Sequence, residues 1–357
     1  MKITFVIPLV SLVGGIKIVF EYANHLQTRG HEVRVVYPLV PVVSGKKWYD
    51  IKYFVNRTLK TFINIKKGNT VDWLDLKAKL SGKPTLDEIF IPDADIVVAT
   101  SCETSYYVSK YNKNKGTKFY LIQGYEIWCG EKNVDRSYKL GLHNIVISTW
   151  LKKLIQTRVE GKIEDLIING IDFTQFYPEI TDRDKNQIRI LMPYRDGKAK
   201  GFNDGLKAFE IVRNRYNNVK LVLFGVNKEK NIPENVEIHK RVIGDELRHI
   251  YNSCDIFLFP SQSEGFGLPP MEAMACGCAV VTTNVGAVPD YAIPGKTALV
   301  SAPGDPEALA HNIIQLIENE DKRKQIAENG YNYVKQFTWD KSTDELEKIF
   351  KRYIITK

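Results

Sequence analysis

Several things are missing from this chain of 357 residues, and each absence removes a class of protein. No run of about 18 or more apolar residues occurs, which excludes an ordinary membrane-spanning helix. The N-terminal MKITFVIPLV is apolar only briefly. Gly14, Gly15 and charged residues follow without a small-residue cleavage site, so this segment reads as a first strand and not as a secretory leader. The five cysteines (Cys102, Cys129, Cys254, Cys276 and Cys278) are odd in number and contain no CxxC, so they form no disulfide framework. Reduced thiols and a cytoplasmic protein are expected. There is no G-x-G-x-x-G, which argues against a dinucleotide dehydrogenase. No repeat is visible at solenoid periods.

What is present is enough for two domains. The length exceeds one ordinary compact core, and 44% hydrophobic residues supply apolar material for both, so disorder is not expected. A net charge of +8 points to an anionic partner, for which phosphorylated ligands, nucleic acid and anionic lipid all qualify.

Along the chain, strand KITFVIP is followed by the Gly14-Gly15 loop and by a helix from about Ile16 to Arg29, with Gly30 as its stop. Ile16, Val19, Ala23 and Leu26 share one helical face. Strand EVRVVYP comes next, then short apolar strands at 95–100, 118–123, 144–148 and 165–169. The turn-rich NGIDFTQFYP (169–178) reads as a linker. A second series follows, with strands at 187–193, 219–225, 236–239, 255–260 and 279–283. Helices are expected from Phe202, near Glu246–Tyr251, after Leu268, and from Pro306 to the end. Strand and helix alternate in both halves, which implies parallel sheets covered on both faces. The fold class is therefore α/β, with two doubly wound, Rossmann-like domains facing a cleft.

The most informative stretch is SEGFGLPPMEAMACG (263–277), where Glu264 and Glu272 sit eight apart. Glu264 falls just past the end of strand DIFLFP, where open parallel sheets bind ligands. Pro269 or Pro270 suits a first helical turn and Gly277 a helix stop. Free amides near Phe266, Gly267 and Leu268, aided by the helix dipole, offer an anion site flanked by two carboxylates. Carboxylates accept hydrogen bonds from paired hydroxyls such as those of a sugar or ribose. On spacing alone the pair reads equally well as a solvated loop glutamate and a dipole-favoured first-turn glutamate. In PYRDGKAKGF (193–202), Arg195, Lys198 and Lys200 precede Gly201 and a helix. An arginine fork and a lysine point charge suit a diphosphate, although a solvated basic loop accounts for them as well.

Taken together, these residues resemble the retaining glycosyltransferases of family 4 (group 1), which have the GT-B fold. Glu264 and Glu272 match the E-x7-E signature, Arg195 and Lys200 the phosphate-binding pair, and Gly14-Gly15 the Gly-rich first loop. NGIDFTQFYP and the late FTW (337–339) also match. The resemblance implies an N-terminal acceptor-side domain at 1–172, a nucleotide-sugar domain at 173–336, and a last helix at 337–357 that crosses back. It implies transfer of a sugar from a nucleotide diphosphate to an acceptor hydroxyl, in cell-surface polysaccharide or glycolipid assembly. Glu264 would stabilise the sugar, Glu272 would hold the ribose, Arg195 and Lys200 the diphosphate, and Val242 would lie near the base. Gly14, Gly15, Phe266, Gly267 and Leu268 would also contact the donor. Expected partners are a nucleotide sugar and a saccharide or lipid-linked acceptor, with no nucleic acid, no cofactor and no required metal.

Two positions depart from the family pattern. Gln123 stands where many members have a histidine; it can bond a sugar hydroxyl but cannot take a proton. Lys240 replaces a common glycine. The same fold also supports a nucleotide-sugar epimerase, and a basic non-catalytic membrane or polyanion adaptor is the rival from another class.

Four other signals are set aside. PGKTALV (294–300) lacks the first glycine of a P-loop, since that position is Asp290. Asp93-Ala94-Asp95 leads into a strand instead of following one, unlike a metal-binding DxD. Cys276 and Cys278 have no histidine nearby and read as packing residues. His31 reads as structural. The stretch 46–67 carries seven Lys/Arg and one acid, Asp50, with Ile51, Val55, Leu59 and Phe62 on one helical face. It is either a core-facing helix with a solvated basic side or a peripheral contact with anionic membrane.

Overall fold

The computed structural model describes every residue except 41, 43–54, 57, 60–70, 160–164, 182–185, 196, 226–231, 234, 235, 356 and 357. The chain divides into two compact units, Met1–Gly170 with Trp339–Lys357, and Ile171–Thr338. No helix among the described residues is long and apolar enough to cross a membrane.

The first unit is built on a sheet of seven strands: β1 (Lys2–Val6), β2 (Glu32–Pro38), β3 (Lys79–Lys83), β4 (Ile96–Ala99), β5 (Thr117–Ile122), β6 (His143–Val146) and β7 (Asp165–Leu166). Their order is β3-β2-β1-β4-β5-β6-β7, and every pairing is parallel. Phe5, Val35, Val98, Phe119 and Ile145 are buried, as the apolar runs require of strands covered on both faces. Each such side chain taken from water contributes about 1.5–3 kcal/mol. The helix Gly14–Thr28 follows β1, and Gly30 ends it at φ +85°, a conformation that costs glycine little. The final helix, Trp339–Ile355, packs within this unit. Arg29 Nη1 donates to Asp344 Oδ1 at 2.6 Å, Phe119 meets Phe350 at 4.8 Å between centroids, and Tyr22 meets Trp339 edge-on. His31 lies between the N-terminal amine and Glu347, both at 3.2 Å, which is a structural position.

The second unit has six strands: β8 (Ile188–Pro193), β9 (Val219–Phe224), β10 (Glu237–His239), β11 (Ile256–Phe259), β12 (Ala279–Thr283) and β13 (Leu299–Ser301). Their order is β10-β9-β8-β11-β12-β13, again all parallel. Ile190, Leu221, Leu258 and Val281 form the core with Phe209 and Val212 of helix Phe202–Arg213 and Leu309 and Ile313 of helix Pro306–Glu318.

Both sheets reverse direction beside their first strand. The chain winds outward from β1 through β2 and β3, then returns to β4 on the other side. It does the same from β8 through β9 and β10 to β11. Such switch points open a crevice at the strands' carboxyl ends, which is where open α/β sheets bind ligands.

The sequence reading missed β3 and β13. Both are short edge strands, and β13 overlaps the end of the PGKTALV segment. The expected strand 165–169 shrinks to the two residues of β7. Most of the basic stretch 46–67 lies outside the described residues; of those described, Val55 and Leu59 are exposed. Asp93 pairs with Lys115 at 2.8 Å and Asp95 accepts the Lys2 amide at 2.7 Å, so the DxD tethers strand entries.

Candidate functional site

In the second unit, the loops after β8 and β11 are joined by backbone bonds. The amides of Gln262 and Ser263 both donate to the Ala199 carbonyl, at 2.9 and 3.0 Å. Gln262 Nε2 also reaches Asp204 Oδ2 at 2.6 Å. Gly201 makes this approach feasible: it sits at φ +62°, and a Cβ there would lie 1.8 Å from the Pro260 carbonyl oxygen. No other residue fits without moving one of the two loops.

This joining brings three expected site residues together. Glu264 Oε1 accepts from Lys200 Nζ at 3.0 Å and from Ser261 Oγ at 2.9 Å, and lies 3.6 Å from Arg195 Nη1. The Glu264 side chain is 8% exposed, whereas Arg195 and Lys200 are 39% and 30% exposed. One sheltered carboxylate is thus faced by two half-open cations, leaving an excess positive charge directed to solvent at the switch point. The sequence reading gave the carboxylate and the cations separate tasks; in the free chain they form one cluster. Ser261 was not foreseen.

Glu272 occupies a different environment. It is buried in helix Leu268–Ala275 and accepts a hydrogen bond from Tyr251 at 3.0 Å. Burial, and next the Glu272 carboxylate, push the Tyr251 hydroxyl well above its ordinary range, so it stays protonated and remains a donor. Phe176, Phe224 and Phe257 surround Tyr251, with centroids 5.6–5.9 Å away.

Gly267 caps the helix at φ +89°, and its carbonyl accepts from Tyr291 at 2.7 Å. Pro269 and Pro270 have no N–H, so anion donors here are confined to the preceding loop and Leu268. Phe266 and Leu268 are buried. A second loop supports this turn: Gly286 packs against it so closely that a Cβ would lie 2.9 Å from Glu264 Cβ, and the Ala287 amide donates to the Phe266 carbonyl. Val242 is buried in the loop between β10 and helix Gly244–Asn252, beside Arg241 at φ +54°.

The first unit brings Gly15 and Gln123 together at its own switch point. A Cβ on Gly15 would touch Gln123 Oε1 at 3.4 Å, while Gly14 faces open space. Gln123 Nε2 donates to the Thr100 carbonyl at 3.3 Å. Its Oε1 is buried with no hydrogen-bond partner among the described residues. An orphaned buried acceptor costs about 1–3 kcal/mol, and a ligand hydroxyl or amide would satisfy it. A surface hollow of about 510 Å³ near Lys296, Asn319 and Gln325 contains none of these groups.

A family model for glycosyl transferases group 1 matches residues 173–333, which contain the Arg195, Lys200 and Glu264 cluster. The chain is also 30% identical over 265 residues to the capsular polysaccharide biosynthesis glycosyltransferase CapM of Staphylococcus aureus, covering 67% of each chain.

The chain belongs to the group 1 glycosyl transferases.

As a group 1 glycosyl transferase it also resembles MJ1178 of Methanocaldococcus jannaschii, 34% identical over 122 residues. That match covers 34% of this chain and about a third (35%) of the relative. Among solved structures, Anabaena Alr3699/HepE in complex with UDP aligns with a TM-score of 0.76, at 16% identity, over 99% of this chain and all of that one. The likeness is one of fold, and the fold is GT-B, with two parallel-sheet α/β domains.

Proposed function

We propose that this group 1 glycosyl transferase is a retaining, metal-independent hexosyltransferase that moves a sugar from a nucleotide diphosphate to an acceptor hydroxyl in polysaccharide or glycolipid assembly. The observation that carries the reading is the Glu264 carboxylate shared by Lys200 and Arg195 at the second unit's switch point. The two cations take the diphosphate and stabilise the charge that grows on it as the glycosidic bond breaks. Glu264 faces the sugar, where positive charge develops. Glu272, held by Tyr251, takes the ribose, with Val242 near the base. The leaving phosphate oxygen accepts the acceptor's proton, a route that needs no side-chain base and is compatible with glutamine at position 123. The orphaned Gln123 Oε1 receives a sugar hydroxyl beside Gly14 and Gly15.

The names of similar proteins support this direction. CapM is a capsular polysaccharide glycosyltransferase, and the HepE complexes contain UDP and UDP-glucose. The test is thermal denaturation with UDP, GDP and dTDP, each with EDTA. At 100-fold over its dissociation constant a native-state ligand adds about 2.7 kcal/mol. The reading fails if none of the three raises the transition. We also propose peripheral contact with anionic membrane through the basic stretch 46–67, supported by its charge and by exposed Val55 and Leu59. Absence of co-sedimentation with anionic vesicles would remove that part.

A further inference from the structure

The first unit contains a side-chain cluster that the transfer reaction does not use. Cys102 opens the helix that follows β4. Glu126 and Cys129 lie in the loop that follows β5, three residues apart across a short 3-10 turn. All three side chains are buried, and their two sulfurs and a carboxylate oxygen lie within 4.8 Å of one another. Between the two inward residues, Ile127 and Trp128 point outward and are 59% and 66% exposed. Hydrophobic burial of those two side chains therefore does not hold the turn. The turn is anchored by the Glu126 carboxyl, which accepts the Cys102 amide, and by Asn133 Nδ2, which donates to the Cys129 carbonyl at 2.8 Å.

The charge balance of this cluster is unusual. Glu126 is buried, accepts the Cys102 amide and, among the described residues, forms no ion pair. Glu103 is itself buried. A buried acid and two buried thiols within 4.8 Å of one another offer three ligand atoms to a single ion.

We infer that Cys102, Cys129 and Glu126 form a binding site for a thiophilic divalent cation of the zinc class, which clips the loop after β5 to the helix after β4. Two thiolates and a carboxylate are the ligand types zinc takes, with Zn–S near 2.3 Å and Zn–O about 2.0–2.2 Å. Tetrahedral geometry then places the ligand atoms about 3.4–3.8 Å apart, so closing on the ion needs only a small contraction of the cluster. The ion replaces the two thiol protons and the carboxyl proton, releases three protons, and leaves one net negative charge. Binding therefore weakens as pH falls. The role is structural, because the clip steadies the loop that carries Gln123.

The test uses the full chain, reduced and stripped with chelator, and titrated with cadmium as a spectroscopic zinc substitute. The expected result is one ion per chain by native mass spectrometry, with thiolate-to-cadmium charge-transfer absorbance. Cys129→Ser should abolish the absorbance. Glu126→Gln should keep the absorbance but weaken affinity by more than the about 10–100-fold that loss of an outer-shell partner costs. Cys254→Ser should change nothing. If Cys129→Ser does not fold, thiol alkylation of the wild-type chain in mild urea decides: cadmium must protect Cys102 and Cys129 and leave Cys254, Cys276 and Cys278 unprotected. No charge-transfer band, protection of the wrong thiols, or a Cys102–Cys129 disulfide in the unreduced protein overturns the proposal. No nucleotide enters this experiment, so its outcome is independent of the donor-site reading.

Discussion

Glu264→Gln gives the sharpest test of the proposed donor site, because two effects of opposite sign are expected. Among the described residues the carboxylate's polar partners are Lys200, Arg195 and Ser261. An incoming diphosphate must compete for the same two cations. At 3.0 Å the lysine pair is worth about 5 kcal/mol in gross Coulomb terms at an effective dielectric near 20. Both cations are about a third exposed, so the net value falls to about 1 kcal/mol. Glutamine keeps the shape, removes the competing charge, and frees both cations for the ligand. Nucleoside diphosphate should therefore bind about fivefold tighter to Glu264→Gln than to the wild type.

Turnover should move the other way. In the proposed role the carboxylate interacts most strongly with the positive charge that develops on the sugar ring, and only such differential interaction accelerates reaction. Removing one preorganised electrostatic group of this kind costs about 10²–10³ in rate. Calorimetry with UDP, GDP or dTDP, beside steady-state kinetics with the donor so identified, reads both effects. Weaker diphosphate binding by Glu264→Gln would refute the competition argument. Near-normal turnover would refute the electrostatic role.

Glu272→Gln should raise the donor's KM with little change in kcat, since the ribose does not change charge during reaction; steady-state kinetics checks this. Tyr251→Phe should destabilise the second unit by about 1.5–3 kcal/mol, the scale of a hydrogen bond to a charged group, read by urea denaturation. Gly201→Ala must hold the left-handed region, at about 1–2 kcal/mol, or leave it, and its Cβ must push residue 201 away from the Pro260 carbonyl. It should lower both stability and diphosphate affinity, and retention of either at the wild-type level counts against the loop geometry. The last expectation concerns acid. The bidentate Arg189 fork, after it Lys220 and His239, hold the Glu237 carboxyl far below its ordinary 4.5. A depressed carboxylate contributes stability above its unfolded value and loses it as pH falls through the folded one. Melting temperature should thus decline below about pH 5, and Glu237→Gln should flatten that decline between about pH 5 and 3.

The strands were legible because parallel strands buried on both faces appear as uninterrupted apolar runs. EVRVVYP and AVVTT were read with their observed ends. KLSGK of β3 has only one buried residue, so it carries no such signal. The turn chemistry was legible too, since Pro269, Pro270, Gly277 and Gly30 act where their backbone preferences place them. What spacing cannot show is pairing across the fold. Lys200 and Glu264 are 64 residues apart and meet only because β8 and β11 are neighbours. Cys102 and Glu126 meet by the same logic, across β4 and β5.

The two glutamates then differ for a reason that is local in sequence and distant in consequence. Gly267 stands between them in the left-handed region and turns loop into helix. Glu264 is left on the loop side, where the β8 loop presents cations, and Glu272 on the helix side, where Tyr251 and a ring of phenylalanines exclude water. A carboxylate among solvent-facing cations responds to charge that appears or disappears nearby. A carboxylate fixed by a buried hydroxyl keeps its orientation for a partner of constant charge. In the proposed reaction the first environment serves the reacting sugar and the second a ribose, and the eight-residue spacing supplies two distinct electrostatic environments from one turn.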